Sequence, residues 1–278
     1  MKKYSAENKS IGVFDSGFGG LDILREIVRE LPEYSYVYLG DTARTPYGTR
    51  SQEIVYGFTR QAVDYLFGNK NCQLIILACN TASSEALRKI QQEYLPKNNA
   101  EKRVLGVLIP AAEEAVERTK NHRIGVIATE GTVNSEAFAR EIQKLNNKTK
   151  IFQKACPLLV PIVESGEQNS KASDLILKDY LNPLMKKNID TLILGCTHYG
   201  ILEKKIRKTI GVKVNIINEG KIVAKKLKDY LRRRPEIENN ISKSSTVEFL
   251  TTDLTDRFQI LGSKFFGRKI ITEKVELK

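Results

Sequence analysis

The sequence contains few cysteines and few histidines, and it has no long apolar run. Four of its 278 residues are cysteine and two are histidine. No C-x-x-C pair occurs, so the cysteine spacing indicates neither a zinc ribbon nor a redox motif. No apolar run approaches the ~20 residues that span a bilayer, and the N-terminus lacks the apolar core of a signal peptide. We therefore expect a cytoplasmic protein with reduced thiols and no membrane contact.

Positive charge is concentrated in a single segment. The chain carries a formal net charge of +12, and residues 204–234 contain twelve lysines and arginines against two acids. Four apolar residues recur there at helical spacing: Val223, Leu227, Tyr230 and Leu231. This pattern favours a solvated helix face packed on its apolar stripe. The alternative is a surface that binds nucleic acid or an acidic partner, although the motifs of a nucleic-acid reader are missing.

Short β-branched runs alternate with amphipathic helical patterns along the chain. This alternation predicts an α/β fold with largely parallel sheets. The predicted strands are 10–15, 36–39, 74–78, 104–108, 123–128, 151–155, 191–195, 212–217 and 247–251. The predicted helices are 21–31, 52–67, 83–94, 111–120, 134–145, 173–187, 201–208, a basic helix before the polar linker 235–245, and 256–265.

The sequence also indicates two similar halves. The openings Ile11–Phe14 and Ile124–Ile127 are nearly identical, and Cys79 and Cys196 lie almost the same distance apart as these openings do. Two such similar offsets indicate a duplicated α/β unit. The polar stretch 97–103 is the best candidate for the crossing between the halves.

Unusual polar sequences follow four of the predicted strands. They are 15–20 (DSGFGG), 40–48 (GDTARTPYG), 79–81 (CNT) and 196–198 (CTH). Parallel α/β sheets bind ligands at the carboxyl ends of their strands, so these segments predict one shared site. The glycine loop after Asp15 suits a small anion such as a carboxylate, because backbone N–H groups can approach it closely. The alternative is a tight turn in which Asp15 caps the helix.

Cys79 and Cys196 are candidates for catalytic thiols. Each directly follows an apolar run and precedes amide or hydroxyl side chains that can stabilise a thiolate. Stereoinversion requires two bases that face one carbon from opposite sides, one to remove the α-proton and one to protonate the other face. Cys72 and Cys156 lack polar neighbours and are predicted to be small hydrophobic residues. A hydrolase or transferase that uses a single cysteine remains an alternative.

His198 lies two residues past Cys196 and can tune that thiol or the amine of a ligand. The other histidine, His122, lies in a charged turn and is predicted to be structural. No metal-ligand spacing supports zinc binding by Cys196 and His198, and no cofactor motif is present. We therefore predict a site without metal or cofactor.

Six motifs, in order over residues 11–270, carry a resemblance to a known family. They are GVFDSGFGGL (12–21), GDTARTPYG (40–48), ACNTAS (78–83), CPLLVPIVESG (156–166), LILGCTHY (192–199) and FLTTD…F beginning at Phe249. With these motifs the chain closely resembles the glutamate racemases. The resemblance implies cofactor-independent interconversion of L- and D-glutamate, which supplies D-glutamate for bacterial peptidoglycan.

The resemblance also implies a domain organisation. We expect two similar flavodoxin-like, three-layer α/β domains with mostly parallel sheets and the active site in the cleft between them. Residues 1–98 with 208–278 would form one discontinuous domain, and residues 99–207 the other. A homodimer is expected. A side role of the 204–234 face in nucleic-acid metabolism is a minor alternative.

Matched positions assign roles to individual residues. By the resemblance, Cys79 is the base that acts on D-glutamate and Cys196 the base that acts on L-glutamate. Asp15 and His198 are their acid/base partners. The positions matched to substrate binding are Ser16, Tyr47, Gly48, Asn80, Thr81, Glu164 and Thr197, with a weaker match at 129–132.

Aspartate racemases share this layout and are the alternative activity. They tend to carry a glutamate where this chain has His198, so the histidine indicates glutamate as substrate. The chain departs from the family pattern at 218–220 (NEG), where many members have Asp-Ser or Asp-Gly. We expect this departure to lie beyond the chemistry. The short N-terminus predicts that no peptidoglycan precursor is needed as an activator.

Overall fold

The computed structural model describes residues 9–278, so the predictions for the extreme N-terminus lie outside the described residues. The strands are β1 Ser10–Asp15, β2 Tyr36–Gly40, β3 Cys72–Leu77, β4 Arg103–Gly106, β5 Arg123–Ala128, β6 Lys150–Ala155, β7 Thr191–Gly195, β8 Asn215–Ile217, β9 Val247–Thr251 and β10 Thr272–Lys274. The α-helices are α1 Gly20–Glu30, α2 Gln52–Gly68, α3 Asn80–Glu85, α4 Leu87–Lys89, α5 Leu95–Asn98, α6 Leu108–Arg118, α7 Glu130–Asn134, α8 Ala137–Leu145, α9 Leu159–Glu164, α10 Lys171–Met185, α11 Glu203–Ile210, α12 Glu219–Arg233, α13 Pro235–Glu238 and α14 Asp256–Phe266. A π-helical turn covers Ile90–Tyr94, and 3-10 turns cover Glu167–Asn169 and Tyr199–Leu202.

Within residues 9–278 the strands form two entirely parallel sheets. The first has the order β10-β9-β2-β1-β3-β4 and the second the order β6-β5-β7-β8. The order β2-β1-β3-β4 therefore recurs in the second sheet as β6-β5-β7-β8. Strands β3 and β7 are buried along their whole length, as expected where helices cover both faces of a parallel sheet. The predicted α/β class with two similar, mostly parallel units is confirmed.

Most predicted elements are present, with shifted ends and a few differences. The predicted helix 83–94 begins earlier, at Asn80, and it is broken into short helical pieces that include the π-helical turn. The predicted strand 104–108 is shorter because α6 already begins at Leu108. Helix α9 and strand β10 were not predicted. Strand β10 spans only three residues at the edge of its sheet, too few to show an alternating pattern.

The chain changes sheet at two points. Strand β4 pairs with β3 in the first sheet, and β8 pairs with β7 in the second. By strand pairing, the chain leaves the first sheet after Gly106 and leaves the second after Ile217. The predicted boundaries, after residues 98 and 207, therefore precede the last strand of each unit. The domain limits themselves stay a prediction.

The basic segment is organised around helix α12, which packs on α1 of the first unit and on α6 of the second. Val223, Leu227 and Leu231 are buried, in agreement with the predicted apolar stripe. On the outer face, Lys226 forms an ion pair with Glu113 at 2.7 Å, and Lys228 forms one with Glu30 at 2.8 Å. None of the helices within residues 9–278 has the length and hydropathy needed to cross a bilayer.

Candidate active site

The polar segments singled out in the sequence follow the central strands of both sheets. In each sheet the direction of chain progression reverses between two neighbouring strands, β1 and β3 in the first and β5 and β7 in the second. Open parallel sheets bind ligands in the crevice at such a switch point. Asp15 ends β1, Cys79 follows β3, Thr129 follows β5 and Cys196 follows β7. The residues at the switch points of both sheets thus lie in one shared region.

A cavity of about 400 Å³ lies at this place and is lined by residues of both units. Ten of the eleven predicted site residues line it: Ser16, Tyr47, Gly48, Cys79, Asn80, Thr81, Glu164, Cys196, Thr197 and His198. Asp15 is the exception, since it is buried behind the cavity wall. The predicted residues are therefore close together, although their individual roles stay predictions.

Cys79 and Ser16 form, with Asp15, what we call the Cys79 corner. The backbone of Cys79 is extended, and the residue is the N-cap of α3. Its thiol donates a hydrogen bond to the Ser16 hydroxyl at 3.4 Å. Burial, reinforced by the charge of Asp15, raises the pKa of Cys79 to about 11, although hydrogen bonds from Ser16 and the backbone of Ala82 oppose the shift. The Cys79 thiol is therefore protonated at neutral pH.

Asp15 is almost fully buried at the end of β1. Its Oδ2 accepts a hydrogen bond from the Gly17 N–H at 3.0 Å, while its Oδ1 has no hydrogen-bond partner among the described residues. Burial raises the pKa of Asp15, and the nearby His198 lowers it in part. The N-cap of α1 is Gly19, without a side-chain hydrogen bond. Asp15 is therefore not the N-cap residue of α1, although the backbone N–H of Gly20, the first residue of α1, is among the groups that lower its pKa.

Cys196, His198, Glu164 and Arg257 form what we call the Cys196 corner. The Cys196 Sγ lies 3.9 Å from His198 Nδ1. On the other side of the imidazole, Nε2 lies 3.2 Å from the Oε1 atom of Glu164. The Oε2 atom of Glu164 lies 3.8 Å from an Nη2 atom of the exposed Arg257. Burial raises the pKa of the Cys196 thiol well above its ordinary value, so this thiol too is protonated at neutral pH.

The imidazole of His198 is held by aromatic and backbone contacts. Phe18 and Phe265 meet its ring edge-on, with centroids 5.3 and 5.8 Å away. A Cβ atom at Gly19 would lie 2.9 Å from His198 Nδ1 and 2.3 Å from Thr197 Oγ1. The glycine loop of the first unit therefore packs directly against the Cys196 corner, and only glycine fits at position 19.

Two contacts join the units on the other side of the cavity. The Thr81 and Thr129 hydroxyls are 3.0 Å apart, and the Gly131 N–H donates to the Gly48 carbonyl at 2.8 Å. Both pairs link the first unit to the loop after β5. This loop is the weakly matched segment 129–132, and the structure brings it to the cavity. Tyr47 donates a hydrogen bond to the buried Asp41, which holds the ring against the cavity.

Comparisons with known proteins show the family of this chain. Residues 11–227 match the Asp/Glu/Hydantoin racemase family. The chain belongs to this family. It is 42% identical to a glutamate racemase of Persephonella marina, over 96% of this chain and 97% of that protein. It also superposes on a glutamate racemase of Bacillus anthracis with a TM-score of 0.88, at 35% identity and 98% coverage of both chains.

A further solved relative is a glutamate racemase of Francisella tularensis in complex with D-glutamate. Its TM-score is 0.87, at 33% identity and 98% coverage of both chains. The identification of this chain as a member of the glutamate racemases is confirmed, and the chain is an amino-acid racemase. Since these relatives cover nearly the whole chain, both units belong to the shared architecture.

Sequence reasoning missed two acidic or basic residues near the racemase site. Arg257 lies in the C-terminal helix α14, within the span of the last motif but not among its matched letters, and no local pattern marks it. Glu219 lies in the departure at 218–220, which we expected to lie beyond the chemistry. That expectation stays a prediction; Glu219 does not line the cavity, but it is buried and accepts a hydrogen bond from the cavity residue Asn80. The departure itself was the signal that could have found it.

The four cysteines are all free thiols, and burial raises the pKa of Cys72 and of Cys156 to about 12. Cys72 and Cys156 are fully buried and do not line the cavity, in agreement with their predicted role as small hydrophobic residues. Among residues 9–278, no group of three or more His, Cys, Asp or Glu side chains is arranged to hold a metal ion. Independence from cofactors stays a prediction.

Proposed function

We propose that this racemase interconverts L- and D-glutamate with Cys79 and Cys196 as its two bases. The observation that carries the proposal is that the two thiols follow equivalent strands of the two sheets and line one cavity. Two related units that close on a single ligand can present their thiols to opposite faces of one carbon. A single-cysteine hydrolase would have no use for the second thiol.

Starting from L-glutamate, the Cys196 thiol first loses its proton to His198 Nδ1. The thiolate then removes the α-proton, and the Cys79 thiol donates its proton to the opposite face of the carbanion. The product is D-glutamate, with Cys196 as thiol and Cys79 as thiolate. The reverse reaction exchanges the two roles, with Asp15 assisting Cys79. Proton transfer by positioned groups of this kind contributes rate factors of about 10²–10⁴.

The carbanion must be stabilised without an electron sink. The cavity offers hydroxyl, amide and backbone groups from Ser16, Asn80, Thr81 and Thr197, which can bind the carboxylate and ammonium groups of the substrate. Arg257 at the cavity lining supplies a cation that suits a side-chain carboxylate. The enclosed site makes these polar contacts stronger than they would be in bulk water.

Incubation with L-glutamate in D₂O tests the proposal directly. The pure protein should incorporate deuterium at Cα and form D-glutamate without any added cofactor. Activity only with added pyridoxal phosphate would contradict the mechanism. Faster turnover of L-aspartate would favour the alternative activity over glutamate. A covalent adduct trapped on one cysteine would instead indicate a hydrolase or transferase.

Substitution of the thiols tests the two-base assignment. Cys79→Ser and Cys196→Ser should each lower racemisation by at least about 10³-fold, because each removes one of the two bases. Cys72→Ser is the matched control, since Cys72 is buried but lies outside the cavity. Its activity per folded molecule should stay close to that of the unmodified protein. Full activity of either cavity variant would remove that cysteine from the mechanism.

We also propose that the product D-glutamate supplies peptidoglycan synthesis in the cytoplasm. Expression of the chain should restore growth of a bacterium that depends on external D-glutamate. The homodimer expected from the resemblance is tested by sedimentation of the pure protein. Salt-dependent binding of nucleic acid that fails on charge reversal at Lys225, Lys226 and Lys228 would support the alternative role of the 204–234 face.

A further inference from the structure

Glu219 is a buried carboxyl group beside the cavity that the proposed reaction does not use. It is the first residue of α12, and only 3% of its surface is exposed. Its Oε2 atom accepts a hydrogen bond from the Asn80 side-chain amide at 2.8 Å, while its Oε1 atom has no partner among the described residues. Burial of a carboxyl group with a single hydrogen-bond partner costs folding free energy. A carboxyl group at this place therefore indicates a role in the site.

Asn80, the partner of Glu219, lies at the centre of the site. It follows Cys79 directly, it is buried, and it lines the cavity. An asparagine amide has one donor end and one acceptor end. The donor end of Asn80 is bonded to Glu219, and the Oδ1 atom has no hydrogen-bond partner among the described residues. The free acceptor suits a ligand donor such as the ammonium group of an amino acid.

The hydrogen bond between Asn80 and Glu219 joins two distant parts of the chain. Asn80 follows strand β3 of the first sheet, whereas Glu219 begins α12, the helix through which the chain returns to the first sheet and which packs on α1. The packing at the start of α12 is tight, because a Cβ atom at Gly220 would lie 3.0 Å from Glu26 Cγ on α1. The start of the helix that carries Glu219 is therefore closely packed against α1.

We propose that Glu219 is a positioning residue: its carboxyl group holds the Asn80 amide so that the Asn80 carbonyl oxygen is presented to the substrate. The proposal rests on glutamate being the substrate of this cavity. Glu219 itself contacts neither the cavity nor the reacting atoms. Its influence on the reaction passes through Asn80 and through its charge.

The charge of Glu219 gives this role a dependence on pH. Burial raises the pKa of Glu219 to about 8, and the charge of Asp15 adds to the shift. The other ionisable groups on the elements around it are Cys196, Glu203 on α11, and Asp22, Arg25 and Glu26 on α1. Arg25 is already paired with Asp22 and Glu26. Glu219 is therefore neutral at pH 7, and its ionisation above pH 8 adds negative charge beside Cys196 and an anionic substrate.

Two variants separate the hydrogen bond from the charge. Glu219→Ala removes the acceptor, so KM for glutamate should rise about tenfold at pH 7 while kcat falls less. Glu219→Gln keeps an amide oxygen as acceptor, so its KM at pH 7 should stay within about twofold of the original value. Above pH 8 the Gln variant should also keep its affinity for glutamate where the original protein loses it. Unchanged KM in the folded Ala variant would overturn the proposal, and so would equal losses in both variants.

A measurement without turnover separates this proposal from the proposed function. In the unmodified protein, the ¹⁵N side-chain amide resonance of Asn80 should shift with a midpoint near pH 8. The shift should vanish in Glu219→Gln. If the protein neither binds nor racemises glutamate but this titration is present, the substrate assignment is wrong and the Glu219–Asn80 coupling stands. A pH-independent Asn80 resonance in the unmodified protein would overturn the coupling.

Discussion

The Cys79 corner and the Cys196 corner occupy equivalent places in the two sheets, yet their proton partners differ. Cys79 donates to the neutral hydroxyl of Ser16, with the carboxyl of Asp15 buried behind it. Cys196 faces the imidazole of His198. The imidazole lies beside the carboxylate of Glu164, and this carboxylate lies beside the exposed guanidinium of Arg257. The first corner is closed by buried groups, whereas the second has a chain of polar groups that ends at solvent. A reaction that is symmetric in its substrates thus takes place in an asymmetric site.

This asymmetry constrains how protons return to the thiols. Burial keeps both thiols protonated, so each must pass its proton to a neighbour before it can act as a base. At the Cys196 corner that neighbour is the imidazole of His198, whose Nε2 atom lies 3.2 Å from Glu164 Oε1. At the Cys79 corner the neighbours are the Ser16 hydroxyl and the carboxyl of Asp15, which accepts from the Gly17 N–H. We therefore expect the two half-reactions to respond differently to substitution.

The largest effect should come from His198→Ala. Loss of the group that accepts the Cys196 proton should lower kcat/KM by about 10²–10³-fold. Because L- and D-glutamate have equal free energies, kcat/KM must fall equally in both directions. The isotope effects should differ, since the step at Cys196 becomes limiting: the effect of α-deuterium should rise for L-glutamate and fall for D-glutamate. His122→Ala, in an exposed turn, is the matched control and should change neither quantity.

A second large effect should come from the glycine loop after Asp15, which packs against the Cys196 corner. Gly19→Ala places a Cβ atom against Thr197 and His198, so the imidazole must move away from Cys196. Displacement of a catalytic group by about 1 Å costs on the order of 10²-fold in rate. Gly17→Ala, in the same loop, brings no contact closer than 4.0 Å and should stay near full activity. Equal losses in the two variants would indicate a general effect on the loop instead.

The sequence allowed the class of fold and most of the cavity to be predicted, for identifiable reasons. The apolar runs before Cys79 and Cys196 mark central strands, and the carboxyl ends of parallel strands meet at one edge. Residues close to those ends, such as Ser16 and Thr81, were therefore found from local pattern and from the resemblance.

The residues that were missed reach the site through tertiary packing. Arg257 comes from a C-terminal helix whose pattern is that of any amphipathic helix. Glu219 follows β8, which spans only three residues, and its hydrogen bond to Asn80 joins residues 139 positions apart, so no local pattern reveals it. The strands β4 and β8 at the last positions of the two sheets are short, and only their pairing identifies the sheet to which each belongs.

A smaller effect should come from Ser16→Ala, which removes the hydroxyl that the Cys79 thiol contacts. The loss of one hydrogen bond costs about 1 kcal/mol, so kcat/KM should fall roughly fivefold to tenfold. The isotope pattern should be the opposite of that in His198→Ala, with a larger α-deuterium effect for D-glutamate. The same pattern in both variants would contradict the assignment of one corner to each enantiomer.

The smallest effect concerns stability, and it compares the buried carboxyl of Glu219 with a carboxyl at the surface. Burial raises the pKa of Glu219 to about 8 in the folded protein, above its ordinary value of 4.5. Folding therefore favours the neutral acid: the stabilisation is complete below pH 4.5 and is lost as the pH rises through 8. Glu219→Gln should raise the Tm relative to the original protein at pH 8.5 by several degrees, because each unit by which the pKa is raised corresponds to about 1.4 kcal/mol, with a smaller difference at pH 5. Glu273→Gln, at an exposed position of β10, should show no such change with pH in thermal unfolding. A Tm difference for Glu219→Gln that stays constant between pH 5 and 8.5 would mean that Glu219 does not ionise in this range, and the alkaline loss of substrate affinity would then need another group.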